Sequence, residues 1–172
     1  VEDWTPRDIP GEALWLIADE GRAVSIGSVG GGRTHVVRSF SLDGGAVNRS
    51  WPWTPPAGLR FDQPGLRPLA VDRSARWLLY GRERGIFRHP SEGRGADERI
   101  GSHDTRVRDL LLDAEERRLL SVDETGEFRL WSLPEGTCLR TLRGSPPQRF
   151  TLPSFDRAGR RVAWASPDGA HV

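Results

Sequence analysis

The chain has 172 residues, 36% hydrophobic and 28% charged, which suits a soluble, folded protein with a modest core. Its 25 basic and 24 acidic residues leave a net charge of +1, too little for a strong general attraction to phosphate backbones. The single cysteine, Cys138, excludes an internal disulfide, and no apolar run approaches the roughly 20 residues of a membrane helix.

Every residue of the basic set is Arg, which reads as a high-GC bacterial coding bias rather than as nucleic-acid chemistry. The chain begins at Val1 and contains no Met, so a start further upstream is expected. No basic stretch followed by an apolar one marks a secretory signal, and a cytoplasmic location without a membrane partner is expected. Trp4 suggests that Val1–Pro10 belongs to a unit preceding the first clear one.

That first unit, about residues 10–54, has apolar strands at Trp15–Ala18 and Ala23–Ser28 around a polar turn at Asp19–Arg22. A glycine-rich loop, Val29–Thr34, leads to a third strand over Val36–Gly45. Trp51, Pro52 and Trp53 mark a fourth strand, followed by a Pro-rich connection. Pro52 donates no backbone hydrogen bond, so this segment cannot pair fully as an inner strand, and its two Trp rings are expected to pack.

Three later segments align without a gap over fourteen positions: Asp72–Gly85, Asp113–Gly126 and Asp156–Gly169. Each runs from Asp through a polar turn into an apolar strand and closes on Gly. The strands Trp77–Tyr80, Leu119–Val122 and Val162–Ala165 are apolar nearly throughout, as for inner strands buried on both faces. The closing Gly is expected to supply a positive φ. The starting Asp residues are 41 and 43 positions apart. This spacing predicts units over about 66–100, 104–144 and an incomplete 148–172, the last stopping at its third strand. A longer array is therefore expected; a stand-alone four-bladed or open-sheet fold is the alternative.

The unit at 104–144 carries Gly101, Ser102 and His103 just before its first strand, Ser121 on its second, and Trp131 followed by Ser132 on its third. With a period of about 40–45 residues, this resembles the WD-repeat family of β-propellers. The resemblance implies an all-β propeller of four-stranded antiparallel blades, with about three and a half blades present. In that family a buried Asp, His, Ser/Thr and Trp form a hydrogen-bonded chain within a blade. Thr125 takes the Asp position here, so the implied network is His103, Ser121 and Trp131, lacking its charged member. Pro90 and Arg84 replace the Trp and Asp in the preceding blade; in the last, Asp168 keeps the acidic position but Trp164 replaces the Ser.

The family docks partners on one face. Carried onto this sequence, that face holds Arg67, Glu83, Arg106, Arg108, Glu124 and Arg149. Arginine suits it because guanidinium binds carboxylates bidentately and stacks on aromatic rings. The implied function is non-catalytic: a scaffold or sensing propeller for a protein partner, completed by further blades of its own chain and set beside a signalling module. A nucleic-acid-binding propeller and a propeller enzyme with a central-channel site are the alternatives.

No residues form a catalytic, cofactor or metal pattern. His35, His89, His103 and His171 lack ligand spacing, and no GxSxG elbow is present. Ser28–Gly32 lacks the Gly-Lys-Ser/Thr of a phosphate loop and reads as a hairpin loop. Glu115–Glu116 and Asp123–Glu124 read as solvated turns, and Cys138, on a fourth strand, as a buried thiol.

Overall fold

A computed structural model of the chain describes residues 13–19, 22–28, 35–41, 47–57, 59, 69–72, 76–90, 95–133, 135–143, 153–156, 159–166 and 169–171. All fifteen regular elements among these residues are strands, as short apolar runs between polar turns dictate. The chain divides into two compact units, up to Pro56 and from Ala57 onward. The Ser28–Gly32 loop lies largely outside the described residues, as do Trp4, Arg67, Arg149 and Asp168.

The first unit is one antiparallel sheet in the order β1 (Ala13–Asp19), β2 (Arg22–Ser28), β3 (His35–Ser41) and β4 (Val47–Trp53). Trp51 and Trp53 are buried, whereas Pro52 is exposed on the outermost strand, where its missing donor costs least.

The second unit repeats that meander twice and then begins a third time. One sheet runs β5 (Leu69–Val71), β6 (Trp77–Arg82), β7 (Gly85–Pro90) and β8 (Glu98–Ser102). The next runs β9 (Val107–Leu112), β10 (Arg118–Asp123), β11 (Glu127–Ser132) and β12 (Thr137–Arg143). The last holds β13 (Ser154–Phe155), β14 (Val162–Ser166) and β15 (Gly169–His171). These are β-propeller blades: four-stranded antiparallel sheets with every neighbour adjacent in sequence. Each complete sheet has a register shift between its third and fourth strands, at Ser39/Phe40, Ile86/Phe87 and Leu130/Trp131.

Strand alternation explains the packing around β10. Leu119 joins Ala70, Leu79, Ile86, Val107 and Trp131 in one apolar cluster. Its neighbours Leu120 and Val122 point the other way, into a cluster with Phe128, Phe155, Val162 and Trp164. Successive side chains of one strand are thus buried on opposite faces, which is why Leu119, Leu120 and Val122 are all apolar. β12 is its counterpart: all seven residues are exposed, including Leu139 at 48% and Leu142 at 40%. Cys138 is exposed with them, not buried as its strand position suggested. Apolar content places a residue in a strand, but not the strand in the interior.

The repeated Asp has a defined job. Asp113 Oδ1 accepts the backbone N–H of Arg117 at 2.8 Å and of Arg118 at 3.0 Å. Asp156 Oδ1 does the same for Arg160 and Arg161, and Asp72 Oδ1 for Trp77. The backbone closes the same loop, since each Asp N–H donates to the carbonyl five residues on, at 3.0–3.2 Å. The turn requires a left-handed residue three positions after Asp, met by Glu116 at φ 56° and Gly159 at φ 63°. Adjacent blades also meet here, because Arg118 Nη1 donates to the Gly159 carbonyl at 2.7 Å.

The closing glycines differ from expectation. Gly126 has φ 83°, but Gly85 has no positive φ; Glu83 takes the left-handed position in that turn at φ 51°. Gly85 is needed for room, since a Cβ there would lie 2.4 Å from the Phe87 ring.

Asp113 is almost fully buried, so water cannot replace its bonds. Asp113→Ala is expected to cost about 2 kcal/mol of stability, read as a lower urea midpoint at unchanged slope. Asp156→Ala, at an exposed turn, is expected to cost clearly less. Equal losses at the two positions would refute the turn-anchor role.

Candidate functional site

The loop from β8 to β9 and the turns β6–β7 and β10–β11 come together at one end of the second and third blades. Backbone bonds link them in series. His103 N–H donates to the Arg84 carbonyl at 2.8 Å, Val107 N–H to Glu83 at 2.7 Å, and Glu124 N–H to Arg106 at 2.9 Å.

Beneath this chain of loops lies a buried polar network. Trp131 Nε1–H donates to Ser121 Oγ at 2.7 Å, and His103 Nε2 stands 2.6 Å from the same oxygen. Gly101 lets the Trp131 ring approach, since a Cβ there would lie 2.4 Å from it. The structure thus brings His103, Ser121 and Trp131 together. The sequence expectation that the network lacks a charge is incorrect. Asp123, only 1% exposed, presents Oδ2 to His103 Nδ1 at 3.5 Å, with Glu127 Oε1 behind it at 3.9 Å. Both distances are long for a hydrogen bond. The neutral arrangement that fits has Ser121 donating to Nε2 and His103 directing its Nδ1–H at the carboxylates.

Asp123 is not a solvated turn residue. Its Oδ1 accepts the N–H groups of Thr125 at 2.9 Å and Glu127 at 3.0 Å, and the Thr125 hydroxyl at 2.7 Å. Its Oδ2 accepts the Thr105 hydroxyl at 2.7 Å. Thr125, at the family's Asp position, therefore acts as a donor to a carboxylate two residues earlier. Arg129 ties the same loop from the other side, donating to Glu127 Oε1 at 2.6 Å and to the Ser102 carbonyl at 2.7 Å, and pairing with Asp104 at 3.5 Å.

The charges follow from these surroundings. Burial holds the His103 imidazole below its ordinary range, although Asp123 works to raise it. Burial also works to raise the Asp123 carboxyl, but its donors, Thr125, Thr105 and two backbone N–H groups, outweigh that and hold it below the usual carboxylate range. His103, Asp123 and Glu127 offer ligand atoms within 4.8 Å of one another. Asp123 has committed both oxygens to donors, however, and Arg129 bonds the Glu127 oxygen that faces His103. The donor set is that of a hydrogen-bonded network around a fixed guanidinium, not of a metal cradle.

The second blade has a different network. Tyr80 stands at the position aligned with Ser121, and its hydroxyl donates to Asp97 Oδ2 at 2.5 Å. Asp97 Oδ1 meets His89 Nδ1 at 2.8 Å. Burial pushes the Tyr80 phenol up, and Asp97 pushes it further. The Tyr80 ring stacks on Phe87 with centroids 5.4 Å apart.

Above the linked loops lies an open groove of about 630 Å³. Glu83, Arg106 and Glu124, all placed on the partner face from sequence, line it. Arg82, Arg84, Gly85, Phe87, Arg99 and Thr105 complete it, and sequence reasoning did not place them there. The run Arg82–Glu83–Arg84 was the available signal. Arg106 pairs with Glu124 at 3.6 Å, and the Arg82 guanidinium lies over the Phe87 ring at 4.8 Å. Arg108, half-buried on β9, is not among the lining residues, and Arg67 and Arg149 lie outside the described residues.

No family model matches the chain, and no curated protein does. Among solved structures, it is similar to a chain in the crystal structure of the mitotic checkpoint complex, with TM-score 0.55 and 18% identity. The match covers 67% of this chain and 35% of that one, so this chain spans well under half of its neighbour's length. At this identity the likeness is one of fold, a WD-repeat-like β-propeller.

Asp123→Ala is expected to cost about 3 kcal/mol or more, because buried donors lose a charged acceptor, and Thr125→Ala about 1 kcal/mol. Equal, small losses in chemical denaturation would remove Asp123 from the centre of the network.

Stability should also follow pH. As pH falls through about 6.5, the unfolded chain protonates at His103 before the folded one, so stability drops. It drops again below about pH 4, where the unfolded carboxyl of Asp123 takes its proton first. His103→Gln is expected to remove the first drop and leave the second. A wild-type urea midpoint that is unchanged from pH 7.5 to 5.5 would contradict this.

Proposed function

We propose that this chain is a non-catalytic docking module that presents the groove between its second and third blades to a protein partner. One observation carries the reading. A groove that mixes several guanidiniums, two carboxylates and an aromatic ring rests on loops held rigid by a buried network. Pre-organised surfaces bind better because less order is lost on association. Arginine and aromatic rings are the side chains most enriched where protein partners bind. The blade architecture supports the reading without determining it, since a fold hosts many functions.

Two finer elements belong to the same proposal. The three-stranded last sheet would continue into further blades of a longer chain, and the propeller would serve as the sensing part of a larger signalling protein. A nucleic-acid partner is disfavoured because Glu83 and Glu124 interrupt the basic wall.

A photo-crosslinking side chain at Glu83 is expected to form protein adducts in cells of the source organism. The same side chain at Glu115, in the turn at the opposite end of β10, is expected not to. Arg106→Glu should lower the Glu83 adducts at least fivefold. Adducts to nucleic acid, or adducts that Arg106→Glu leaves unchanged, would contradict the proposal.

A further inference from the structure

We infer that the groove selects an extended acidic peptide segment, one whose carboxylates recur at alternate residues. The inference rests on the docking reading above and narrows it to a class of partner.

The groove's charge is unbalanced. Arg82, Arg84, Arg99 and Arg106 face two carboxylates, Glu83 and Glu124. Of the four guanidiniums, Arg106 pairs with Glu124. Among the described residues, Arg84 and Arg99 have no carboxylate partner, and Arg82 has the face of Phe87 instead. A guanidinium stacked on a ring keeps its edge N–H groups free, aligned for a bidentate carboxylate contact. Among the described residues, three cations thus stand without a carboxylate partner around one concave surface.

Their positions are built in rather than incidental. The register shift at Ile86/Phe87 skips Ile100 and sets Arg99 opposite Phe87 across β7 and β8. The Glu83 and Arg84 carbonyls are both bonded by the β8–β9 loop, which fixes the backbone that carries Arg82 and Arg84. Thr105, a groove residue, is held in turn by Asp123.

The spacing of charge distinguishes the ligand. A nucleic-acid strand carries one negative charge per about 3.4 Å, with no gaps to avoid Glu83 and Glu124. An extended peptide advances about 3.3 Å per residue and turns alternate side chains to the same side, about 6.6 Å apart. It can offer carboxylates to the arginines and small or neutral residues to the two glutamates. A groove that mixes four guanidiniums with two carboxylates suits such a segment better than a continuous polyanion.

Fluorescence anisotropy on the full chain tests this with four labelled decamers: alternating Glu-Ser, alternating Lys-Ser, an uncharged Gly-Ser-Leu peptide and single-stranded oligo-dT. The Glu-Ser peptide is expected to bind at least tenfold more tightly than the other three. The Arg84→Glu/Arg99→Glu variant should lose at least tenfold in affinity for it. Both residues are exposed, so the thermal midpoint of the variant should match wild type. Glu83→Gln should act in the opposite sense and tighten binding severalfold, a sign that general loss of structure does not produce. Preference for the Lys-Ser or uncharged peptide would overturn the acidic class while leaving a peptide-docking groove. Tightest binding of oligo-dT would overturn both readings. Failure of all four probes, or Glu-Ser binding that the Arg variants leave unchanged, would overturn this inference; the crosslinking at Glu83 then decides the docking reading independently.

Discussion

A carboxylate removed from water remains ionised only if donors replace its hydration, and Asp123 has collected them from two separate pieces of chain. Thr125 and Glu127 supply donors from its own turn, and Thr105 from the preceding loop. His103 stands beyond, and Ser121 and Trp131 extend the contact to the middle of the blade. The loop from Ser102 to Arg106 consists of small and polar or charged residues and includes no apolar side chain of its own. Bonded to Asp123 and Arg129, it becomes a rigid floor, and the groove residues stand on it.

The two ends of these strands are stabilised by different means, and that difference divides structure from function. At one end a repeated Asp caps its own hairpin turn locally, five residues across, in all three later blades. Such a cap needs nothing from neighbouring blades, so it recurs unchanged while the rest of the sequence drifts. At the other end the turns depend on one another, the second blade's carbonyls bonding the third blade's loop. There the side chains vary between blades. The second blade has Arg84 and Tyr80 where the third has Thr125 and Ser121, and its own side-chain network, Tyr80 to Asp97 to His89, lies toward the β7–β8 connection instead. A surface assembled from unlike turns can be specific for a partner; one assembled from identical turns would present the same chemistry at every blade.

Much of the fold was legible because it depends on period and turn chemistry alone. Apolar runs bounded by Asp and Gly at a near-constant spacing dictate hairpins, and consecutive apolar residues in a strand dictate burial on both faces, as Leu119 and Leu120 show. The site was less legible, for physical reasons. Asp123 lies in a turn whose composition is that of any solvated turn; only the arrival of Thr105, from another loop, makes it a buried acceptor. Cys138 has strand neighbours on one side only, and sequence does not say which strand of four is outermost. Glu83, Arg106 and Glu124 could be placed at one end of their strands, but Arg99 joins them through a register shift that alternation does not predict.

Hydrogen exchange in Asp123→Asn, followed amide by amide, shows whether the Asp123 charge holds the linked loops. The substitution keeps the shape and removes the charge. Faster exchange is expected at Thr125, Glu127, His103 and Val107, whose N–H groups belong to the linked loops, with Leu119 to Val122 in the strand core little changed. Uniform acceleration across the blade, or unchanged protection at His103 and Val107, would contradict the claim that one buried carboxylate holds the groove in place.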